Sequence, residues 1–204
     1  MLNRFGVFVL LLGLVVIGAS CERIAEIELE IPEIGETKEG GSVGYILRSS
    51  DPGYVEGEVH GIIVSPEVEV FESQWGCFGT AVTGTSTGVG TGKTNTELVI
   101  AFHDNLPDYY NNPTQCSELN DGTVAAKLAD LFNVNGYDDW YMPSREEMRI
   151  LYENREAIGG FVEEEYWSSC ESNATNACVF SFVTGAAMSA PKHQRKKVRL
   201  IRYF

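Results

Sequence analysis

Gly136-Tyr137-Asp138-Asp139-Trp140-Tyr141-Met142-Pro143-Ser144-Arg145-Glu146-Glu147 carries the clearest local signals in the chain. Asn135-Gly136 gives a turn, and Trp140 to Met142 follows it as a short apolar run. Ser144 with Glu147 three residues later is a capping box. The Ser hydroxyl accepts from the Glu147 amide, and the Glu carboxylate reaches back to the Ser144 amide. The helix that starts there places Met148, Leu151 and Tyr152 on one face and is expected to end at Gly159-Gly160.

Working outward, Asp121-Gly122-Thr123 can start a second helix through Phe132, with Ala126, Leu128, Leu131 and Phe132 facing inward. After the capping box, Tyr166-Trp167-Ser168-Ser169, residues 178–183 and residues 198–204 read as three late strands. Before it, residues 43–47 and 61–64 read as strands separated by the turn Asp51-Pro52-Gly53. Residues 79–96 are rich in glycine and threonine without a hydrophobic period, so a long ordered loop is expected there. Residues 98–102 are apolar and strand-like. Two helices with strands on either side predict an α+β domain with antiparallel strands.

The first residues have the parts of an export signal. Arg4 gives a positive start, residues 5–17 are apolar, and Gly18-Ala19-Ser20 put small side chains before Cys21. About 13 apolar residues make a helix of roughly 20 Å, short of a hydrocarbon core of about 30 Å. Small residues leading into a cysteine resemble the bacterial lipobox, with Gly18 where that motif usually has Leu. Residues 1–20 are therefore expected to be a lipoprotein signal peptide and Cys21 the lipidated residue. The chain would then be exported and lipid-anchored to the bacterial cell envelope, at the outer membrane or cell surface. Residues 21–40 follow as an acidic tether, with Glu22, Glu26, Glu28, Glu30, Glu33, Glu36 and Glu39 and breakers at Pro32, Gly35 and Gly40. The alternation Ile27-Glu28-Leu29-Glu30-Ile31 could instead add a strand to the domain edge. The folded domain is expected over 41–204.

Lys and Arg number 15 against 29 Asp and Glu, a net charge of −14. That sign argues against nucleic acid as a partner. Against this background Lys192, His193, Arg195, Lys196, Lys197, Arg199 and Arg202 form a basic run. One reading is a site for a sulfated or acidic polysaccharide, carried by Lys192, Arg195, Lys196, Lys197 and Arg199, because a guanidinium matches sulfate oxygens as a planar fork. The other is a solvated strand face that neutralises the protein's own carboxylates. Trp75, Trp140 and Trp167 with Tyr137, Tyr141 and Tyr166 could stack on sugars but are expected to pack in the core.

Export favours disulfides among Cys77, Cys116, Cys170 and Cys178, and four cysteines allow three pairings. Pairing Cys170 with Cys178 would staple adjacent strands and leave Cys77 for Cys116. No C-x-x-C pair occurs and His60, His103 and His193 lack ligand spacing, so no metal is expected. Gly90-Thr91-Gly92-Lys93-Thr94 mimics the end of a phosphate-binding loop, but Thr87 stands where its first glycine belongs, and nucleotide binding is not expected. No cofactor is called for. No acid–base or nucleophile constellation assembles, so the chain is expected not to be an enzyme.

A set of ordered landmarks resembles the C-terminal domain family of the Legionella collagen-like adhesin. They are Asp51-Pro52-Gly53-Tyr54, His60-Gly61, Trp75-Gly76-Cys77, Gly84-Thr85, Gly90-Thr91-Gly92-Lys93 with Asn95-Thr96, and Ala125-Ala126. Gly136 to Trp140, Pro143-Ser144 with Glu147, Ile158-Gly159-Gly160-Phe161, Tyr166 to Ser169 and Val198-Arg199 complete them. The chain departs from the family pattern at Ser42-Val43-Gly44 and at Ala129. The calcium-binding tripeptides of sugar-binding C-type lectins are absent, and Asp138-Asp139 falls well short of the oxygens Ca²⁺ needs. The resemblance implies a C-type lectin-like domain and a non-enzymatic surface adhesion module. The namesake's taste for sulfated glycosaminoglycans is an analogy, because fold alone does not set function. A structural component binding another surface protein is the alternative. A third reading casts Cys170 and Cys178 as the reactive pair of a formylglycine-generating oxidase, a chemistry that lectin-like folds also host.

Overall fold

The computed structural model describes residues 29–66 and 71–204. The export signal, Cys21 and residues 22–28 of the tether lie outside these described residues. Among the described residues nine strands form two sheets: β1 (Thr37–Lys38), β2 (Gly41–Ile46), β3 (Gly61–Val64), β4 (Phe71–Gln74), β5 (Glu165–Glu171), β6 (Asn176–Ser181), β7 (Ala187–Pro191), β8 (Arg195–Val198) and β9 (Ile201–Tyr203). One sheet has the order β1-β2-β3-β9 and the other β4-β8-β5-β6-β7. All pairs are antiparallel except β5 with β8, where Tyr166 lies opposite Lys197. The helices are α1 (Gly92–Asp104), α2 (Ala125–Asp130), α3 (Arg145–Glu153) and α4 (Arg155–Ile158), with a 3-10 turn at Pro113–Gln115. Among the described residues no helix is long and apolar enough to cross a membrane.

β3, β5 and β6 bury both faces, which is why β3 and most of β6 read as near-continuous apolar runs. In β3, Ile63 joins one core with Trp75, Trp140, Trp167 and Leu200, while Ile62 and Val64 join a second with Met148, Leu151, Tyr166 and Ile201. The three tryptophans are thus core residues, each under 5% exposed. Folding begins before Gly41: the Gly35 amide donates to Val43 O at 2.7 Å, and the Val43 amide to Glu36 O at 2.8 Å. This end of the acidic segment is stitched to β2.

The α+β class and antiparallel strands are present, but among the described residues four α-helices replace the expected two. Residues 98–102 are not a strand; they lie inside α1, whose start also shortens the expected loop. The reason is the chemistry of α1's inner face, which is Gly92, Asn95, Thr96, Val99 and His103. It docks by hydrogen bonds more than by apolar contact. Asn95 donates to Ser86 O at 2.6 Å and to Ser169 Oγ at 2.9 Å, and Thr96 Oγ1 accepts from the Met142 amide at 3.0 Å. Residues 178–204 likewise hold four strands, with β7 and β8 separate from β6 and β9. α3 stops at Glu153, and α4 carries the chain to Gly159, whose φ of 76° breaks it. Leu131, expected inward, is 75% exposed because α2 ends one residue before it.

His103 is fully buried at the end of α1. Its Nδ1 bonds Val99 O at 2.7 Å, so Nδ1 carries the proton and Nε2 accepts from the Cys77 amide at 2.9 Å. Gly76 is required beside it, since a Cβ there would come within 2.3 Å of Nε2. Burial pushes the imidazole down to about 4, aided by the charge of Lys192. An unfolded histidine titrates near 6.5, so falling pH protonates the unfolded chain first, and stability is lost between about 6.5 and 4. The loss through this one group should be about 3 kcal/mol. Unfolding free energies at pH 6.5 and pH 4 should show a flatter dependence in His103→Gln; an unchanged slope would contradict the assignment.

The disulfides are Cys77–Cys116 and Cys170–Cys178, closing 39 and 8 residues. Loop-closure entropy scales with the logarithm of loop length, so losing the first should cost about 1.4 kcal/mol more than losing the second. Denaturation midpoints of Cys77→Ser/Cys116→Ser and Cys170→Ser/Cys178→Ser measure that difference, and equal losses would refute the entropic account.

Candidate binding surfaces

The basic run does not form one surface. Lys192 and Arg199, expected as polysaccharide contacts, are buried. The Lys192 ammonium pairs with Glu171, donates to Thr80 O at 2.8 Å and lies 5.0 Å from the Trp75 ring centroid. Arg199 sits where the chain crosses from one sheet to the other. It donates to Ser65 O at 2.8 Å and to Gly159 O at 2.8 Å, beneath the Phe161 ring. Neither can touch a polymer in solvent.

The remaining three lie on β8. The pleat puts Arg195 and Lys197 on one side and Lys196 on the other. Arg195 pairs with Asp121 at 2.5 Å, Lys196 with Glu165 at 2.5 Å, and Lys197 with Glu72 at 2.8 Å and Glu164 at 3.8 Å. Hydrogen bonding to Lys197 holds the Glu72 carboxyl below its ordinary range. An incoming sulfate would meet four carboxylates against three cations.

Glu147 organises the opposite region. It is fully buried, and its carboxylate accepts from the Ser144 amide at 2.7 Å, the Gly90 amide at 2.9 Å and the Tyr203 hydroxyl at 3.0 Å. The Glu147 amide donates to Ser144 Oγ at 3.3 Å, completing the capping box anticipated from the spacing. A Cβ on Gly92 would lie 2.4 Å from the same carboxylate, so only glycine starts α1 this close. Two helix N-termini thus converge on one carboxylate, a favourable placement for negative charge. Burial raises its pKa, against the pull of the donors. In the glycine loop that mimics a phosphate cradle, the Gly90 amide is occupied by the protein's own side chain.

Beside this junction a cleft of about 340 Å³ opens between the first turns of α1 and residues 138–141. Lys93, Glu97, Asp138, Asp139, Trp140 and Tyr141 line it. A second recess of about 160 Å³ shares Lys93, Asp139 and Tyr141 with it and ends at Gly90 and Tyr203. Asp139 pairs with Arg202 at 2.5 Å, and Arg202 also reaches Glu39 at 2.8 Å and stacks on Tyr137. Lys93 is exposed and, among the described residues, makes neither an ion pair nor a side-chain hydrogen bond. The Tyr141 side chain is 5% exposed, yet its hydroxyl has no hydrogen-bond partner there. Its backbone is fixed by two bonds with Ile201, at 2.8 and 2.9 Å. Sequence reasoning placed Tyr141 in the core and Lys93 in a loop; no local signal joins two residues 48 positions apart.

Among the described residues no group of His, Cys, Asp or Glu is arranged to hold a metal ion. No curated protein matches the chain. Of solved structures, a fimbrial protein from Bacteroides ovatus ATCC 8483 is similar over 79% of this chain, at 13% identity and a TM-score of 0.46. The match spans 43% of that fimbrial chain, less than half its length. The model of the Lcl C-terminal domain matches residues 84–202, from the loop that leads into α1 to the strand that carries Arg202. With more than half of its length matched, the chain belongs to the Lcl C-terminal domain family.

Proposed function

We propose that the protein is a surface adhesion module that binds polysaccharide and catalyses no reaction. Residues 1–20 direct its export, Cys21 carries the lipid, and the acidic segment after it sets the domain off the membrane. The observation that carries this reading is membership of the Lcl C-terminal domain family, whose namesake is part of an adhesin. The C-type lectin-like architecture implied by the resemblance belongs to the same proposal. The buried ionisable groups support it: Glu147, His103 and Lys192 are each committed to bonds that hold loops and helices in place. Bonding Cys170 to Cys178 and Cys77 to Cys116 speaks against a thiol-dependent oxidase.

A second reading, an assembly component that binds another protein, is favoured by one feature. An uncharged groove of about 360 Å³ runs along α1 between Val82, Leu98, Phe102 and Leu106.

In a bacterial host, a labelled fatty acid should mark the full chain but not Cys21→Ser. Cells displaying the chain should adhere to polysaccharide-coated beads more than cells lacking it. An unlabelled full chain contradicts the anchor, and equal adhesion contradicts the adhesion module.

A further inference from the structure

We infer that the saccharide site is the cleft between Lys93 and Tyr141, and that it takes an uncharged, hydroxyl-rich saccharide unit rather than a sulfated one. The inference rests on the polysaccharide-binding reading above and names its site and ligand class.

The cleft has the size of a small-molecule site, since about 340 Å³ with an adjoining 160 Å³ lies within the range of roughly 300–1,000 Å³. Its polar groups divide in the way hydroxyl groups require. A sugar hydroxyl donates one hydrogen bond and accepts others, so its site needs both kinds of partner. Lys93 and the Tyr141 hydroxyl can donate, and Glu97, Asp138 and Asp139 can accept. Tyr141 is the stronger indicator. A phenol oxygen on a side chain this buried usually finds a partner within the protein. This one has no partner among the described residues and opens to solvent where Tyr141 lines the cleft, on a backbone pinned to β9. It is held in place for something that arrives from outside.

Charge selects against sulfate. Four carboxylates line the cleft with Lys93; Lys127 pairs with Asp130 and Arg202 with Asp139, which leaves Glu97 and Asp138 facing one cation, a net negative lining. At an effective dielectric of 20, two like charges 4 Å apart repel by about 4 kcal/mol, and the chain's net charge of −14 acts in the same direction. The bases of β8 do not compensate, because their own carboxylates already face them. Neutral hydroxyl groups escape this penalty.

The test is calorimetric titration of the full chain, in detergent micelles, with maltohexaose, cellohexaose, chitohexaose and a heparin hexasaccharide at 20 and 150 mM salt. At least one neutral hexasaccharide should bind, with less than a twofold change between the two salts. Tyr141→Phe, which removes one oxygen, and Lys93→Met should each weaken that binding about tenfold without lowering the melting temperature. Arg195→Glu should leave it unchanged. Neutral binding that both cleft variants leave intact would overturn the assigned site while the adhesion reading stands. Salt-sensitive heparin binding lost in Arg195→Glu would overturn the ligand class. Binding of none of the four would overturn the inference and the polysaccharide reading together.

Discussion

Glu147→Ala should destabilise the domain by about 3–5 kcal/mol, one of the two largest losses expected from a single substitution in this fold. The carboxylate satisfies two amides and a hydroxyl that come from three separate parts of the chain: the α3 cap, the loop before α1 and strand β9. Removing it leaves the buried Ser144 amide without an acceptor, at about 1–3 kcal/mol, and takes the acceptor from two part-buried donors, the Gly90 amide and the Tyr203 hydroxyl, which cost less each. Relief of the buried charge returns part of that sum. Glu147→Gln keeps one acceptor oxygen and should lose about half as much. Urea unfolding of the two variants measures both values. A loss under about 1 kcal/mol for the alanine variant would mean that the three segments are held by something else.

Lys192→Ala should cost about 3–5 kcal/mol, for a different reason. The ammonium is buried under Trp75, and burial lowers its pKa in spite of Glu171. Without it, Glu171 keeps only the Val82 amide, at 2.7 Å, as a charge-compensating donor in a site nearly closed to solvent. A carboxylate stranded in this way costs more than the ion pair was worth, so the double variant Lys192→Met/Glu171→Gln should recover most of the loss. Because Lys192 also holds Thr80 O, the amide of Val82 should exchange with solvent faster in Lys192→Ala. Additive losses in the double variant would show that the two side chains do not act as a pair.

What could be read from the sequence was what is local. The capping box needs only Ser144 and Glu147, three residues apart, and it is present. The short strands at β2, β3, β5 and β6 carry β-branched or aromatic side chains and were legible in the same way. α1 was not, because Asn95, Thr96 and His103 on its buried face break the apolar period by which an amphipathic helix is recognised. β7 reads Ala-Met-Ser-Ala-Pro, with nothing but its pairing to β6 to mark it as a strand. The basic run was plain as charge, but its meaning depended on Asp121, Glu165, Glu171 and Glu72, which the fold brings in from elsewhere. The cleft is the extreme case. Lys93 and Tyr141 meet because the Met142 amide donates to Thr96 and Tyr141 pairs with Ile201, contacts that exist only in the finished fold.

The central claim is that this domain binds a neutral saccharide between α1 and residues 138–141. Backbone amide chemical shifts, followed during titration with the neutral hexasaccharide that binds best, test it most directly. The account predicts shifts centred on Lys93, Asp138 and Tyr141, with residues 195–197 unmoved. Shifts centred on residues 195–197 and silent at Lys93 and Tyr141 would contradict it.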